Sequence, residues 1–334
     1  MKKLILSIVA LILSAPAMAV TLKIATVTPN GSQWMADMKA GAEEVKERTE
    51  GRVQIKFYGG GVKGDDAKVL GQIRIRQLQG GAFTPSALAA QYSDLNLYGM
   101  PVVFDSEEEA AFVRSRMDAR LSAGLEEAGF VNFGFATSGF ANIMSATPVR
   151  TLADLKGKRV WVPEGDNISA QSLKALSLNP VTLPLTDVLT GLQTGLIDIV
   201  AIPPIVALIM QWHTKVKYVT QVPFVYTLGF MAIDKKTFDK ISDEDQAVVR
   251  EVMTRTYQNF DKMNVIDNNA AFDSLIKSGI ENVNFDRAEF NKVREILLAS
   301  NRKIGLGGAF DLELYEEMLR YIDEYRSEQL AAGE

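Results

Sequence analysis

The chain has 334 residues, enough for two domains, with 47% hydrophobic and 23% charged residues, so disorder and collagen-like repeats are excluded. Against 36 basic residues stand 41 acidic ones, a formal net charge of -5 without any block of like charge, which argues against a nucleic-acid partner. No cysteine and a single histidine exclude thiol catalysis, disulfide frameworks and Cys/His zinc sites. Residues 1–19 (MKKLILSIVALILSAPAMA) join Lys2 and Lys3 to an apolar run over 4–13 and the small-x-small triplet Ala17-Met18-Ala19. That pattern predicts a secretory signal peptide cleaved after Ala19. The run is too short to cross a membrane comfortably, so the product is expected to be exported and not itself membrane-spanning.

From residue 20 onward, strands and helices alternate. Residues 22–26 (LKIAT) read as a buried strand, and Ser32 caps a helix carrying Trp34, Met38, Ala42 and Val45 at helical spacing. Residues 52–57 (RVQIKF) alternate apolar and polar as a strand does. A glycine turn leads into a helix expected over 66–78, a strand over 81–84 and a further helix opened by Pro85-Ser86. The rhythm restarts with a turn over 152–156, strands at 159–162, 181–183 and 197–202, and helices at 169–176 and 186–194. This order predicts parallel-type sheets covered by helices. Ser242-Asp243-Glu244-Asp245 has capping-box spacing, with Asp in place of the usual Glu or Gln. No proline or glycine follows until Gly279, which predicts a helix of about 50 Å lying across both domains.

Sites for catalysis are hard to assemble. Residues 59–64 (GGGVKG) lack the G-K-[ST] ending of a phosphate loop, and there is no G-x-S-x-G elbow. His213 has no acidic neighbour in sequence and reads as a surface or helix-end residue. Asp65-Asp66 follow a turn, where acids cap a helix. No catalytic set, cofactor site or metal site is expected. An exported two-domain α/β chain with a cleft and no catalytic set fits a hinge-closing binder of a small organic solute.

The whole chain after residue 19 resembles the solute-binding proteins of tripartite ATP-independent periplasmic (TRAP) transporters, of the DctP type. The resemblance is carried by 22–24 (LKI) with Thr28-Pro29 and Trp34, by 43–53 (EEVKERTEGRV), by Gly64-Asp65-Asp66 and by Gly99-Met100-Pro101 through Phe104. More specific are 152–163 (LADLKGKRVWVP) and 192–198 (LQTGLID). It implies a periplasmic protein of two α/β lobes joined by hinge strands and a long bridging helix. The first lobe would comprise 20–138 plus 228–267, the second 139–227 plus 268–325, with the helix over 242–278. It also implies delivery of the solute to the TRAP permease membrane subunits. Two alternatives stand beside it: a binding protein presenting its ligand to a sensor, or a hydrolase or lyase built on Asp66, Glu164 and Asp166.

The departures from the family pattern all run from polar to apolar. Trp161 stands where members usually place an arginine that clamps a substrate carboxylate. Ala141 follows Gly139-Phe140 where a second arginine is common, and Ile202 precedes Pro203 where an asparagine is common. Leu185 occupies the place of a stacking aromatic ring, and Val27 that of a polar contact. A buried carboxylate without a partner is strongly disfavoured. One expectation is therefore a ligand with an apolar portion against Trp161, Leu185 and Ile202, oriented by Thr84, Asn142 or Asp66. The other is an anionic ligand met by Arg159, which shares a strand face with Trp161 by period two. Glu164 and Asp166 favour a cationic ligand if they reach the cleft, although acids after a proline turn also cap the next helix. Arg76, in place of a family glycine, is expected at the surface.

Overall fold

The structure is a computed structural model describing residues 19–332. The expected signal peptide therefore lies outside the described residues but for Ala19. The chain opens with β1 (Val20–Ala25), α1 (Gln33–Arg48), β2 (Val53–Tyr58), α2 (Asp66–Arg74) and β3 (Gly80–Phe83), followed by α3 (Glu107–Glu127), β4 (Phe130–Asn132) and β5 (Ala136–Phe140). It then crosses to a second body: β6 (Asn142–Ser145), α4 (Leu152–Leu155), β7 (Arg159–Pro163), α5 (Asn167–Ala175), β8 (Asn179–Leu183), α6 (Val188–Thr194), β9 (Ile199–Ile202), α7 (Pro204–Ile209) and β10 (Tyr218–Thr220). It returns through β11 (Tyr226–Asp234) and α8 (Lys235–Phe238). The last elements are α9 (Asp243–Lys277), β12 (Glu281–Val283), α10 (Arg287–Leu306) and α11 (Leu312–Ala332).

Two six-stranded sheets result, one per lobe, in the orders β2-β1-β3-β11-β4 with β5 on β11, and β12-β10-β6-β9-β7-β8. Both are mixed rather than parallel throughout. β11 runs antiparallel to β3, β4 and β5, and β6 runs antiparallel to β9 and β10. The return strands carry the chain between lobes, which is why they break the parallel rule.

Alternation along β1 explains the first lobe's layers. Leu22 and Ile24 face α1 and α9 with Met35, Val45, Val249 and Met253. Ala25 and Phe83 face the other core with Leu121 and Met318. In the second lobe, Val160 and Val162 join Leu173 and Leu297, whereas Trp161 joins Val200, Trp212 and Leu275. Each fully buried aliphatic side chain is worth about 1.5–3 kcal/mol as an upper estimate.

The expected long helix is present as α9, 35 residues, with Ser242 Oγ accepting from the Asp245 N–H at 3.2 Å. The Asp245 carboxylate does not reach back as a capping box would. It pairs with Arg52 at 2.9 Å, which holds its pKa below the usual carboxylate range. Val252 and Phe260 of α9 belong to the first lobe's core and Leu275 to the second's, so one rigid rod is packed into both bodies.

Several boundaries differ from the sequence reading. α2 ends at Arg74, where Arg76 takes a left-handed φ of 62° at an exposed position, the conformation that glycine adopts most easily. Pro85-Ser86 open only a 3₁₀ turn, Pro85–Leu88. α11 was expected with the second lobe, but its Leu314, Tyr315 and Met318 lie in the first lobe's core with Val113 and Leu121 of α3. Arg116–Glu324 at 2.9 Å and Arg120–Glu317 at 2.7 Å hold the two helices together at the surface.

Where the lobes meet, Arg114 is buried in a hydrogen-bonded hub. It donates to Asp261 of α9 at 2.6 Å, to Asp118 at 3.1 Å, to the Phe135 carbonyl at 2.8 Å and to the Tyr226 hydroxyl at 3.2 Å. Asp261 also accepts from the Thr137 N–H at 2.8 Å, tying β5 to α9 beside the crossover.

Candidate binding cleft

A cavity of about 430 Å³ lies between the two lobes. The first lobe supplies the ends of β1 and β3 and the start of α2. The second supplies the ends of β7 and β9, the Leu185 turn and α5. Strand ends meet helix starts here because every βα unit places its loop at this edge of the sheet. The site is the place where the two sheets turn those edges toward each other.

Seven of the eight residues singled out from sequence line this cavity: Val27, Asp66, Thr84, Ala141, Trp161, Leu185 and Ile202. Asn142 does not. It is buried in β6 next to Ala141, and strand alternation sends its side chain to the opposite face. Arg159 does not line the cavity either. It sits at the exposed start of β7 and clamps Asp198 through Nε at 2.9 Å and Nη2 at 2.8 Å. That pairing disposes of Arg159 as a replacement for the missing family arginine.

Trp161 is 4% exposed, and its Nε1 donates to the Leu183 carbonyl at 3.0 Å. It is at once a core residue of the second lobe and part of the cavity wall. Thr84 Oγ1 and Ser86 Oγ are 3.2 Å apart at the first-lobe side.

Four carboxylates reach the lining: Asp65, Asp66, Glu164 and Asp166. Two of them serve local structure. Asp65 caps α2, accepting from the Lys68 N–H at 2.8 Å, and pairs with Lys68 Nζ at 2.9 Å. Burial works against its charge, yet Lys68 holds it below the usual range. Asp166 caps α5 through the Ser169 N–H at 2.9 Å, and burial pushes its pKa up. Asp66 has no such partner. Burial, with the charges of Asp65 and Glu164, pushes it up to about 7. Among the described residues that line the cavity, none is Lys, Arg or His. Nor do the described residues contain a group of three His, Cys, Asp or Glu placed to hold a metal ion.

The sequence reading missed Asn264. It stands on α9 four residues after Phe260, a polar side chain on the helix's apolar face, and it is 4% exposed. Its Oδ1 accepts from Trp34 Nε1 at 2.8 Å and its Nδ2 donates to the Thr137 carbonyl at 2.7 Å. This places Trp34, α9 and β5 around one end of the cavity. Ser172, 1% exposed on α5, was missed as well; it is one of the residues around the cavity, and its Oγ is buried without a hydrogen-bond partner.

Comparison with known proteins places this architecture. The family model for bacterial extracellular solute-binding proteins, family 7 (DctP), matches residues 24–305. An uncharacterized protein of Haemophilus influenzae is 24% identical over 217 residues, covering 64% of this chain and 65% of its own length, just under two thirds. The 2,3-diketo-L-gulonate-binding periplasmic protein YiaO of Escherichia coli is 26% identical over 268 residues, 76% of this chain and 80% of that protein. The fold superposes on the sugar acid binding protein of Advenella mimigardefordensis in complex with galactonate, with a TM-score of 0.84 at 20% identity, over 92% of this chain and 99% of that one.

Proposed function

The chain belongs to the bacterial extracellular solute-binding proteins of family 7, and on that premise we propose that it is the periplasmic solute-binding component of a TRAP transporter. It traps a small organic solute between its lobes and delivers it to the permease membrane subunits, after a signal peptide is removed behind Ala19. It is a binding protein and not an enzyme, in keeping with the relatives it resembles. The moving bodies are the first lobe, 20–138 with β11, the first half of α9 and α11, and the second lobe, 139–225 with the end of α9 and α10.

Of the relatives named above, the Escherichia coli protein is named for binding 2,3-diketo-L-gulonate and the Advenella protein is a sugar acid binding protein in complex with galactonate. The observation that carries our reading of the ligand is the lining of this cavity, which offers no cation to a carboxylate. The solute is therefore not held by the family's arginine clamp. It is held through its apolar portion against Trp161, Leu185 and Ile202, with Thr84 and Asp66 orienting its polar end. Ligand contacts to both lobes favour the closed state, which is how binding becomes a signal to the permease.

A thermal-shift screen of residues 20–334 against acids, neutral compounds and amines tests this. A solute at 100 times its dissociation constant adds about 2.7 kcal/mol, a clear rise in melting temperature. The stabilising solute is expected back intact by mass spectrometry after prolonged incubation. Turnover of that solute by pure protein would overturn the binding-protein reading.

A further inference from the structure

The cavity wall carries charge of one sign, and its two free carboxylates come from opposite lobes. Asp66 is half-buried at the start of α2, and its carboxylate accepts no hydrogen bond. Glu164 stands at the rim just past β7, close enough to raise the Asp66 pKa by its charge. Asp65 and Asp166 are already engaged as helix caps. Lys68, outside the lining but within range of the Glu164 charge, is paired with Asp65 and is 71% exposed. The rest of the wall is mainly apolar, with Leu185, Ile202, Val225 and Phe260 among its residues.

An anion placed here would face carboxylates with no cation in the lining, which desolvation makes worse. A neutral solute would bury Asp66 further and leave it unpaired. A cation removes both costs. Because Asp66 and Glu164 belong to different lobes, it also interacts with both only when the cleft is shut.

Resting on the binding-protein reading above, we infer that the cavity takes a small organic cation, an amine or quaternary ammonium with an apolar body. Its charge sits between Asp66 and Glu164, and its body lies against Trp161, Leu185 and Ile202. Asp66 carries most of the charge recognition, because Glu164 is exposed and screened by water.

Calorimetry at pH 8 with residues 20–334 tests the inference. The probes are 2-phenylethylamine, tyramine, cyclohexylmethylamine and choline, each set against phenylacetate, galactonate and 2-phenylethanol. At least one amine is expected to bind at least tenfold more tightly than every acid. Asp66→Asn is expected to weaken it at least tenfold and Glu164→Gln several-fold, each loss being larger for the amine than for 2-phenylethanol. Asp66→Glu keeps the charge and is expected to keep part of the affinity, which covers the case that Asp66→Asn fails to fold. If an acid binds and no amine does, the cation inference is wrong and the binding-protein reading stands. The same holds if amine affinity is untouched by Asp66→Asn. If no probe of any charge binds, the cation inference falls, and the binding-protein reading is judged by the wider thermal-shift screen.

Discussion

Trp161 donates its indole N–H to the Leu183 carbonyl at 3.0 Å and stands edge-on to Trp212, ring centres 5.2 Å apart at 81°. The only donor of the ring is thus spent inside the second lobe, and what it offers to the cavity is apolar surface. Trp161→Ala should weaken ligand binding by more than about 1 kcal/mol. It should also cost the fold about 3–5 kcal/mol, because a large buried ring leaves a hole. Trp161→Phe separates the two effects. It strands the Leu183 carbonyl, at about 1–3 kcal/mol, while keeping most of the ligand contact. Urea unfolding reads the first quantity and calorimetry the second. Unchanged affinity in a folded Trp161→Ala protein would confine the residue to the core.

The lips of the cleft meet at Gly61 and Thr186. A Cβ on Gly61 would stand 2.8 Å from Thr186 Cγ2, and Gly165 faces the Ser86 carbonyl across the same gap. Gly61 also has φ 70°, so Gly61→Ala carries about 1 kcal/mol of backbone strain whether the cleft is open or shut. The clash with Thr186 arises only on closure. Gly61→Ala is therefore expected to lower ligand affinity about tenfold, and Thr186→Ser in the same chain to restore much of it by removing the methyl group. Small-angle scattering should show the single variant more extended with ligand present than the wild type. Equal affinities for wild type and single variant would mean that these lips do not touch in the bound state.

How much of this was legible beforehand follows from the range of the forces involved. The long helix could be read to within a residue at each end, because capping by Ser242 and the absence of glycine or proline act locally. Strands with clean alternation, such as β2, were equally plain. The place of α11 was not, since the apolar stripe of Leu314, Met318 and Ile322 fits any groove, and which lobe it covers is settled by α3. Seven of the residues named from the sequence line the cavity, five of them (Val27, Ala141, Trp161, Leu185 and Ile202) singled out by their place in the family pattern, yet Asn142 was assigned one residue out of phase, and a period of two turns that slip into the opposite face. Arg159 shared a strand face with Trp161 as expected. Its partner Asp198 lies 39 residues further on, and only the folded chain brings the two together. Asn264 was legible in principle, as a polar residue interrupting the apolar face of a helix, a place where polar groups survive only with partners.

The hinge carries its own titration. Glu107, at the start of α3, is half-buried with Thr137 Oγ1 3.4 Å from its carboxylate. Burial pushes its pKa up to about 7, against the pull of Thr137 and Arg114. In the unfolded chain a glutamate titrates near 4.3. Between about pH 4.3 and 7 the folded protein therefore holds more protons than the unfolded one. Stability from this group is fully present below the unfolded value and is lost as the pH rises through about 7. Asp66 contributes a slope of the same sign, so the wild-type curve alone does not isolate Glu107. The difference between wild type and Glu107→Gln does. The amide keeps the hydrogen bond to Thr137 without the charge, and it is expected to raise stability by about 1–2 kcal/mol at pH 8 after allowance for solvent. At pH 4, where the wild-type carboxyl is already protonated, the two proteins should unfold at the same urea concentration. Curves that stay parallel from pH 4 to pH 8 would show that Glu107 is ionised in the folded protein at an ordinary pKa.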